Sequence, residues 1–491
     1  MVVQSLPFRT LIEINRKSAV PVFRQVAGTL TNLIRNGKLQ PGHQLPSSRE
    51  MASLLTVNRT TIIAAYDELL SQGWLEVKSR KGVFVSGKLP MIKPQSFKTS
   101  KPDDNALPTE PIYHDETIPQ PIERTEKSLF ELLINDGFPD QRIAPFKAIL
   151  NRYRDLVGRA YLHGQLLTGN SAGSLALRTE LAAFLTRTRA LNIGPENLMI
   201  TQGAQLAIFV AASMIIKKGS SVIVADLNYA LADSLFKQLG AQLLKVKVDE
   251  YGIDVDAIES LCRTNKPDLL YIIPHHHHPT TVTLSAERRM KLLDIIRNYK
   301  LPVIEDDYDY DFHYNHSPIL PLASAEHHGY VSYIGSISKI LAPTFRMGYL
   351  VAGDNFIRQA SKLKQLVSIR GDVLMEESVA YLFQTGEMQK HIRHSVKLYQ
   401  QRRDVFCNGL QQIITDIGNF TKPQGGMAVW AVFERGYSIR NLAERMATRG
   451  VFINEGSRYP YHPDVNGLRL GFASLNNEEI DTFFNVWNEV K

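Results

Sequence analysis

SYIGSISKILAPTFRMGYLV, residues 332–351, is the stretch on which the reading of the chain turns. A strand-like run leads straight to Lys339, with Ser336 and Ser338 three and one positions before it and Arg346 seven after. A lysine amine forms a Schiff base with an aldehyde, while hydroxyls and a guanidinium grip a phosphate dianion. The stretch therefore suits a cofactor that bears both groups. A lone lysine of this kind is ordinarily a surface residue, so the weight falls on what stands elsewhere at matching intervals.

Upstream, PVIEDDYDYDFHY at 302–314 puts acids and tyrosines at the carboxyl end of a buried strand, where ligands collect in open α/β sheets. One carboxylate there can pair with a protonated pyridine nitrogen and a tyrosine can hydrogen-bond a phenolic oxygen; capping helices or binding a metal are the other uses of consecutive acids. Further short β-branched runs, LMIT at 198–201, SVIVAD at 221–226, LLYIIP at 269–274 and VSYIGS at 331–336, alternate with amphipathic helical patterns. This predicts an α/β fold with a mostly parallel sheet covered by helices on both faces.

The 491 residues are 44% hydrophobic and 21% charged, the balance of a globular chain with two or three domains rather than a disordered or fibrous one. Cys262 and Cys407 make no metal-ligand spacing or disulfide framework, which points to a reducing compartment. No secretory leader is visible, and no run of about 18 apolar residues predicts a membrane span. The net charge is +7, and residues 1–86 hold eleven Lys and Arg against five acids, so +6 of it lies there and +1 in the other 405 residues. A basic head on a near-neutral body suits a polyanion partner, although a solvated basic surface has the same composition. Residues 87–121 carry Pro90, Pro94, Pro102, Pro108, Pro111, Pro119 and Pro121 among polar stretches and read as an extended linker. The expected domains are thus 1–86, the linker 87–121, and 122–491 with a small C-terminal α+β part over about 375–491.

Within the head, Val22–Gly37 predicts an amphipathic helix ending at glycine. Ser47 or Ser48 caps a second helix before Glu50, and Asn58 caps a third with Ile62, Ile63, Tyr66, Leu69 and Leu70 on its buried side. Thr56-Val57 is a helix-turn-helix connection, and WLEVKSRKGVFVS alternates around Lys81-Gly82 as a two-stranded wing does. The runs PGHQLPSSREMASLL and VNRTTIIAAYDELLSQGWL, within Pro21–Ser86, resemble the GntR-type winged helix-turn-helix. That resemblance implies that Arg59, Thr60 and Thr61 face the major groove of double-stranded DNA, that Arg49, Lys78, Arg80 and Lys81 meet phosphates or the minor groove, and that Asn58 belongs to the same DNA-binding set.

The large domain resembles the fold-type I pyridoxal-phosphate enzymes of the aspartate aminotransferase family, and the two together look like a MocR/GabR-type regulator over residues 21–86 and 130–491. Carried over by position, the resemblance implies Lys339 as the Schiff-base lysine, Asp306 as partner of the pyridine nitrogen and Tyr308 as donor to the phenolic oxygen. Ser336, Ser338 and Arg346 would hold the phosphate with the backbone amides of Gly203, Ala204 and Gln205 in TQGAQLAI. Tyr229 would stack on the ring, and Arg469 in GLRLGFASL would take the carboxylate of an amino-acid ligand. HIRHSVKLYQQRRDVF and QGGMAVW resemble the family's C-terminal segments.

The departures are local. Leu227-Asn228 replaces a proline-glycine pair before Tyr229, and Thr281 stands at a glycine position where a positive φ is less comfortable. Thr168 stands where a tyrosine reaches the neighbouring subunit's phosphate. His275, His276, His277 and His278 fill a ring-contact segment, with His278 nearest the cofactor by position. Alternate side chains of an extended segment point to opposite faces, so structural or cofactor contact is expected there and no metal.

The resemblance implies a cytoplasmic transcription regulator, a homodimer holding pyridoxal 5'-phosphate. It would sense an amine, amino-acid or B6-vitamer effector through aldimine chemistry at Lys339 and bind an operator with two half-sites. A working aminotransferase with an appended DNA-binding domain is the alternative, and a regulator with an empty large domain a third reading.

Overall fold

In the computed structural model, residues 7–88, 130–158, 170–314, 319–454 and 465–491 are described, and the linker from residue 89 and Thr168 lie outside them. The chain divides into two compact units, residues 1–112 and 113–491.

The first unit holds α1 (Phe8–Leu11), α2 (Val22–Arg35), α3 (Ser48–Leu55), α4 (Arg59–Ser71) and the antiparallel hairpin β1 (Leu75–Lys78) and β2 (Gly82–Val85), with Val77 opposite Val83. Helix α2 ends two residues before Gly37, whose φ of +70° turns the chain back. A reciprocal capping box of Ser47 and Glu50 starts α3, and the Asn58 side chain caps α4 by accepting from the Thr60 amide. Val26, Leu30, Met51, Ile62, Tyr66, Leu69, Leu75 and Val85 form one buried core. Ile63 corrects the expected buried face of α4: it is 38% exposed, because one helical residue is a rotation of about 100° away from Ile62.

The second unit is built on seven strands: β3 (Leu198–Thr201), β4 (Ser221–Ala225), β5 (Gln242–Val246), β6 (Leu269–Ile272), β7 (Val303–Asp306), β8 (Val331–Ser336) and β9 (Gly348–Val351). Their spatial order is β3-β9-β8-β7-β6-β4-β5, parallel except for β9, which runs antiparallel to both neighbours. The five expected runs are all strands, and β5 and β9 complete the sheet. Every residue of β3, β6, β7, β8 and β9 is buried, as a sheet covered on both faces requires. Helix α5 (Ala204–Ile215) starts beyond the carboxyl end of β3, and the one-turn α6 (Ile337–Ile340) starts at that of β8.

The C-terminal part combines the long α7 (Glu387–Ile414), the antiparallel β10 (Gly418–Phe420), β11 (Ala428–Phe433) and β12 (Gly467–Gly471), and α8 (Asn477–Val490). Phe406, Phe472, Phe483 and Trp487 fill its core, which also takes in Leu132 and Ile134 from the start of the unit. Leu132 and Leu133 pair in parallel with Val451 and Phe452, so both ends of this unit meet in one core.

Candidate cofactor site and nucleic-acid interface

Lys339 emerges from α6 at the end of β8, where its amide donates to Ser336 Oγ at 3.3 Å. Its Nζ donates to the Gly137 carbonyl at 2.8 Å and lies 4.3 Å from the Phe138 ring centroid and 5.4 Å from that of Tyr308. Burial, with help from Arg469, lowers its pKa to about 8 against the opposing charges of Asp309, Asp136 and Asp306. A substantial neutral-amine fraction is thus present near neutral pH, as a nucleophilic lysine needs.

Asp306 closes β7 beside this lysine. Its Oδ2 accepts from the Tyr271 hydroxyl at 2.7 Å, while Oδ1 is buried with no hydrogen-bond partner among the described residues. Burial pushes its pKa up to about 7, against the opposing effect of the Tyr271 hydrogen bond. Tyr308 donates to the His276 carbonyl at 3.0 Å and accepts from Arg469 Nη2 at 3.1 Å. Arg469, brought in by β12 and only 2% exposed, also donates from Nε to Asp136 O at 3.1 Å and from Nη1 to Pro279 O at 2.9 Å. Lys339, Asp306, Tyr308 and Arg469 therefore form one cluster drawn from the ends of β7 and β8 and the middle of β12.

On its other side lies an anion cradle. Gly203 has a φ of +88° and packs so closely on Arg346 that a Cβ there would sit 3.2 Å from Nη2. A Cβ on Gly348 would come within 2.6 Å of the Ala204 amide nitrogen, so glycine is required for this approach. Arg346 Nη2 donates to Gln202 O at 3.2 Å. The first-turn amides of a helix have no intrahelical acceptor, which leaves those of Ala204 and Gln205 at the α5 N-terminus for an anion. The geometry differs from expectation at two residues. The Gly203 amide donates to Thr201 O at 2.9 Å, and the Ser338 hydroxyl donates to Met347 O at 3.1 Å while accepting from the Met347 amide at 2.7 Å. Both are committed to backbone, whereas Ser336 caps α6 within the cradle.

The histidine run is distributed among separate partners. His275 Nδ1 lies 3.0 Å from Asp307 Oδ1 and His276 Nδ1 2.9 Å from Asp309 Oδ1, while His277 Nδ1 meets Thr280 Oγ1 at 2.8 Å. The His278 ring stands edge-on to Tyr229 at 5.4 Å between centroids. Thr281 does adopt a positive φ, +61°, with its amide bonded to His277 O at 2.6 Å. Asn228, at the altered pair before Tyr229, is buried and donates to Asp233 Oδ1 at 2.6 Å. Among the described residues no group of three or more His, Cys, Asp or Glu side chains could hold a metal ion.

Sequence reasoning missed Tyr271, Gly137, Phe138 and Asp309. Tyr271 carried no local signal: it reaches Asp306 because β6 pairs with β7, which sets it opposite Ile304. Gly137 and Phe138 had none, since they are about 200 residues from Lys339 in the chain.

The site fits pyridoxal phosphate. The orphaned Asp306 oxygen is what a pyridinium N–H would satisfy, and the glycine-lined cradle below Arg346 presents amides to a phosphate.

In the first unit Arg49, Arg59, Thr60, Lys78, Arg80 and Lys81 are exposed and Thr61 is half-buried. Asn58 Oδ1 accepts from both the amide and hydroxyl of Thr60 at 2.9 Å, which makes it first a helix cap. Arg59 Nε donates to Ser48 Oγ at 3.3 Å, and Lys78 pairs with Glu76 at 3.2 Å on the wing.

The model of aminotransferase class I and II matches residues 132–486, and that of bacterial regulatory proteins of the gntR family matches residues 23–85. The chain is 26% identical over 470 residues to the uncharacterized HTH-type transcriptional regulator YdfD of Bacillus subtilis, covering 95% of this chain and 96% of that one. It is 26% identical over 478 residues to the probable rhizopine catabolism regulatory protein MocR of Rhizobium meliloti, covering 95% and 93%. The structure of Pyrococcus horikoshii kynurenine aminotransferase, solved in complex with PMP, superposes with a TM-score of 0.66 at 26% identity, over 73% of this chain and 91% of that one.

Proposed function

Since the chain belongs to the aminotransferase class I and II family and bears a gntR-family helix-turn-helix head, we propose that it is a transcription regulator that binds DNA through the head and senses an amine at Lys339 of a pyridoxal-phosphate domain. The observation that carries this is the buried Lys339 beside Asp306 with its orphaned oxygen, in a chain whose remaining unit is a DNA-binding fold. Full-length relatives described as transcriptional regulators support it.

Pyridoxal phosphate, when bound, supplies an aldehyde that exchanges reversibly between amines and a ring that draws electrons from the attached carbon. Lys339 is the residue to hold it covalently. Asp306 would hold a proton on the ring nitrogen, and Tyr308 would have to turn its hydroxyl from His276 O to donate to the phenolic oxygen. Ser336, Arg346 and the amides of Ala204 and Gln205 would grip the phosphate, with Tyr229 and His278 flanking the ring. Arg469 would receive the carboxylate of an amino-acid effector, since a planar guanidinium grips both oxygens. The effector shifts DNA binding insofar as it binds two states of the protein unequally. On the DNA, Arg59, Thr60 and Thr61 face base edges, Arg49 and the wing cations face phosphates, and two copies of the chain read two half-sites.

The test is a titration of the full-length, cofactor-loaded protein with amines and amino acids. Visible absorption and affinity for its own upstream DNA are followed together, with Lys339→Ala as control. A ligand that shifts the spectrum and the DNA affinity together, without keto-acid product, supports the sensor. Steady turnover with unchanged DNA binding makes the chain an aminotransferase with a DNA-binding head.

A further inference from the structure

Asp309 is a buried carboxylate of this site that takes no part in holding the cofactor. It is 2% exposed, Oδ1 is held by His276 Nδ1 at 2.9 Å, and Oδ2 is buried with no hydrogen-bond partner among the described residues. Two glycines shape its surroundings. A Cβ on Gly426 would stand 3.2 Å from Asp309 Oδ2, and a Cβ on Gly425 would collide with His276 Nε2. The same Gly426–Ala428 stretch meets Gly137, where a Cβ would lie 3.1 Å from the Ala428 Cβ and 3.3 Å from the Met427 carbonyl carbon. Gly137 in turn accepts from Lys339 Nζ. The unpaired Asp309 oxygen and the lysine amine therefore share one wall. The lysine's own hydrogen-bond acceptor there is a neutral carbonyl, and Asp309 is the carboxylate whose charge bears most on it.

We propose that Asp309, clamped by His276, is the seat for whichever ammonium in the site is not covalently engaged: the incoming effector's before exchange, and that of Lys339 after it. The inference rests on amine exchange at Lys339. In that exchange the effector gives up one proton on leaving its ammonium form and the released lysine takes one up, so protons balance and one ammonium always remains to be held. A buried carboxylate with one oxygen fixed and the other open suits the role, since a second buried ammonium without a counter-charge is costly. Asp306 is the less suitable seat, because its fixed oxygen faces Tyr271 and its open one is what the ring nitrogen requires.

The charged and titratable groups facing the seat come from every wall: His276, Asp306 and Tyr314 around Asp309, and Asp136, Asp306, Tyr308 and Arg469 around Lys339. Asp309 is thus a positioning residue, and its removal changes a titration as well as an affinity.

The experiment uses full-length, cofactor-loaded Asp309→Asn, an isostere that keeps the acceptor for His276, with methylamine as the probe. Methylamine has no carboxylate, so Arg469 does not enter. The expected result is a methylamine concentration dependence weakened by about tenfold or more, roughly one well-placed charge-assisted hydrogen bond. The pH midpoint of the cofactor's visible absorption should move down, while the melting temperature and retained cofactor stay unchanged. Asp309→Glu should restore part of the methylamine affinity. An unchanged methylamine dependence and pH midpoint in Asp309→Asn would overturn the seat. If the wild-type spectrum responds to no amine at all, the sensor reading itself fails, and that outcome is separate from the first.

Discussion

His277 shows how much a single buried side chain can cost as conditions change. Burial, helped by the Arg469 charge, lowers its pKa to about 3, and burial beside His276 and His275 lowers that of His313 to about 2. Both lie well below the ordinary histidine value of 6.5. The unfolded chain therefore binds protons that the folded one refuses, and stability falls as pH drops below the unfolded pKa. Each group contributes about 1.4 kcal/mol per pH unit in that window. Urea unfolding of the large unit at pH 7.5 and 5.5 should show this loss, and His277→Gln should reduce it by about 1.4 kcal/mol. An identical loss in the variant would mean that His277 takes up its proton in the folded state.

At the scale of elements, the head and the site were legible to different degrees. Capping signals are local, so Ser47, Glu50 and Asn58 announced α3 and α4 in the sequence, and the box and cap are present. The face of α4 was legible only in part, since Ile62 and Ile63 are alike in chemistry and only the helical rotation separates core from surface. In the site, the residues of β7, β8 and α6 were readable because Asp306, Tyr308, Ser336 and Lys339 sit on or beside strand ends. What the Ser338 hydroxyl and the Gly203 amide bond to depends on Met347 and Thr201 backbone geometry, which no residue type encodes. Tyr271 and Gly137 reach the site through sheet order and through the joining of both ends of the unit, and these are properties of topology rather than of spacing. The element prediction concerns α4. Its N-terminus exposes Arg59 and Thr60 beside the cap, so Arg59→Ala should weaken specific DNA binding by about 1–3 kcal/mol if it reads a guanine. Gel-shift titration against a scrambled duplex checks this, and an unchanged specific affinity makes Arg59 a solvated charge.

At the scale of the whole molecule, charge is distributed very unevenly along the chain. The first 86 residues carry +6 of the net +7, so nearly all of the long-range attraction to DNA is vested in a unit small enough to cover only a few base pairs. One such head makes limited contact, and useful discrimination against non-specific DNA asks for two of them on one duplex. The described residues hold one such head, so two heads acting on one duplex would come from two copies of the chain. Scrambling one half-site of the operator should therefore lower affinity by about tenfold or more, because the second head then binds non-specifically. Where joining is weak it should also flatten the dependence on protein concentration, because a single copy then accounts for the specific binding. Fluorescence anisotropy at fixed salt, with intact, half-scrambled and fully scrambled duplexes, reads both effects. Equal affinity for intact and half-scrambled duplexes would show that one head suffices, and the paired arrangement would lose its reason.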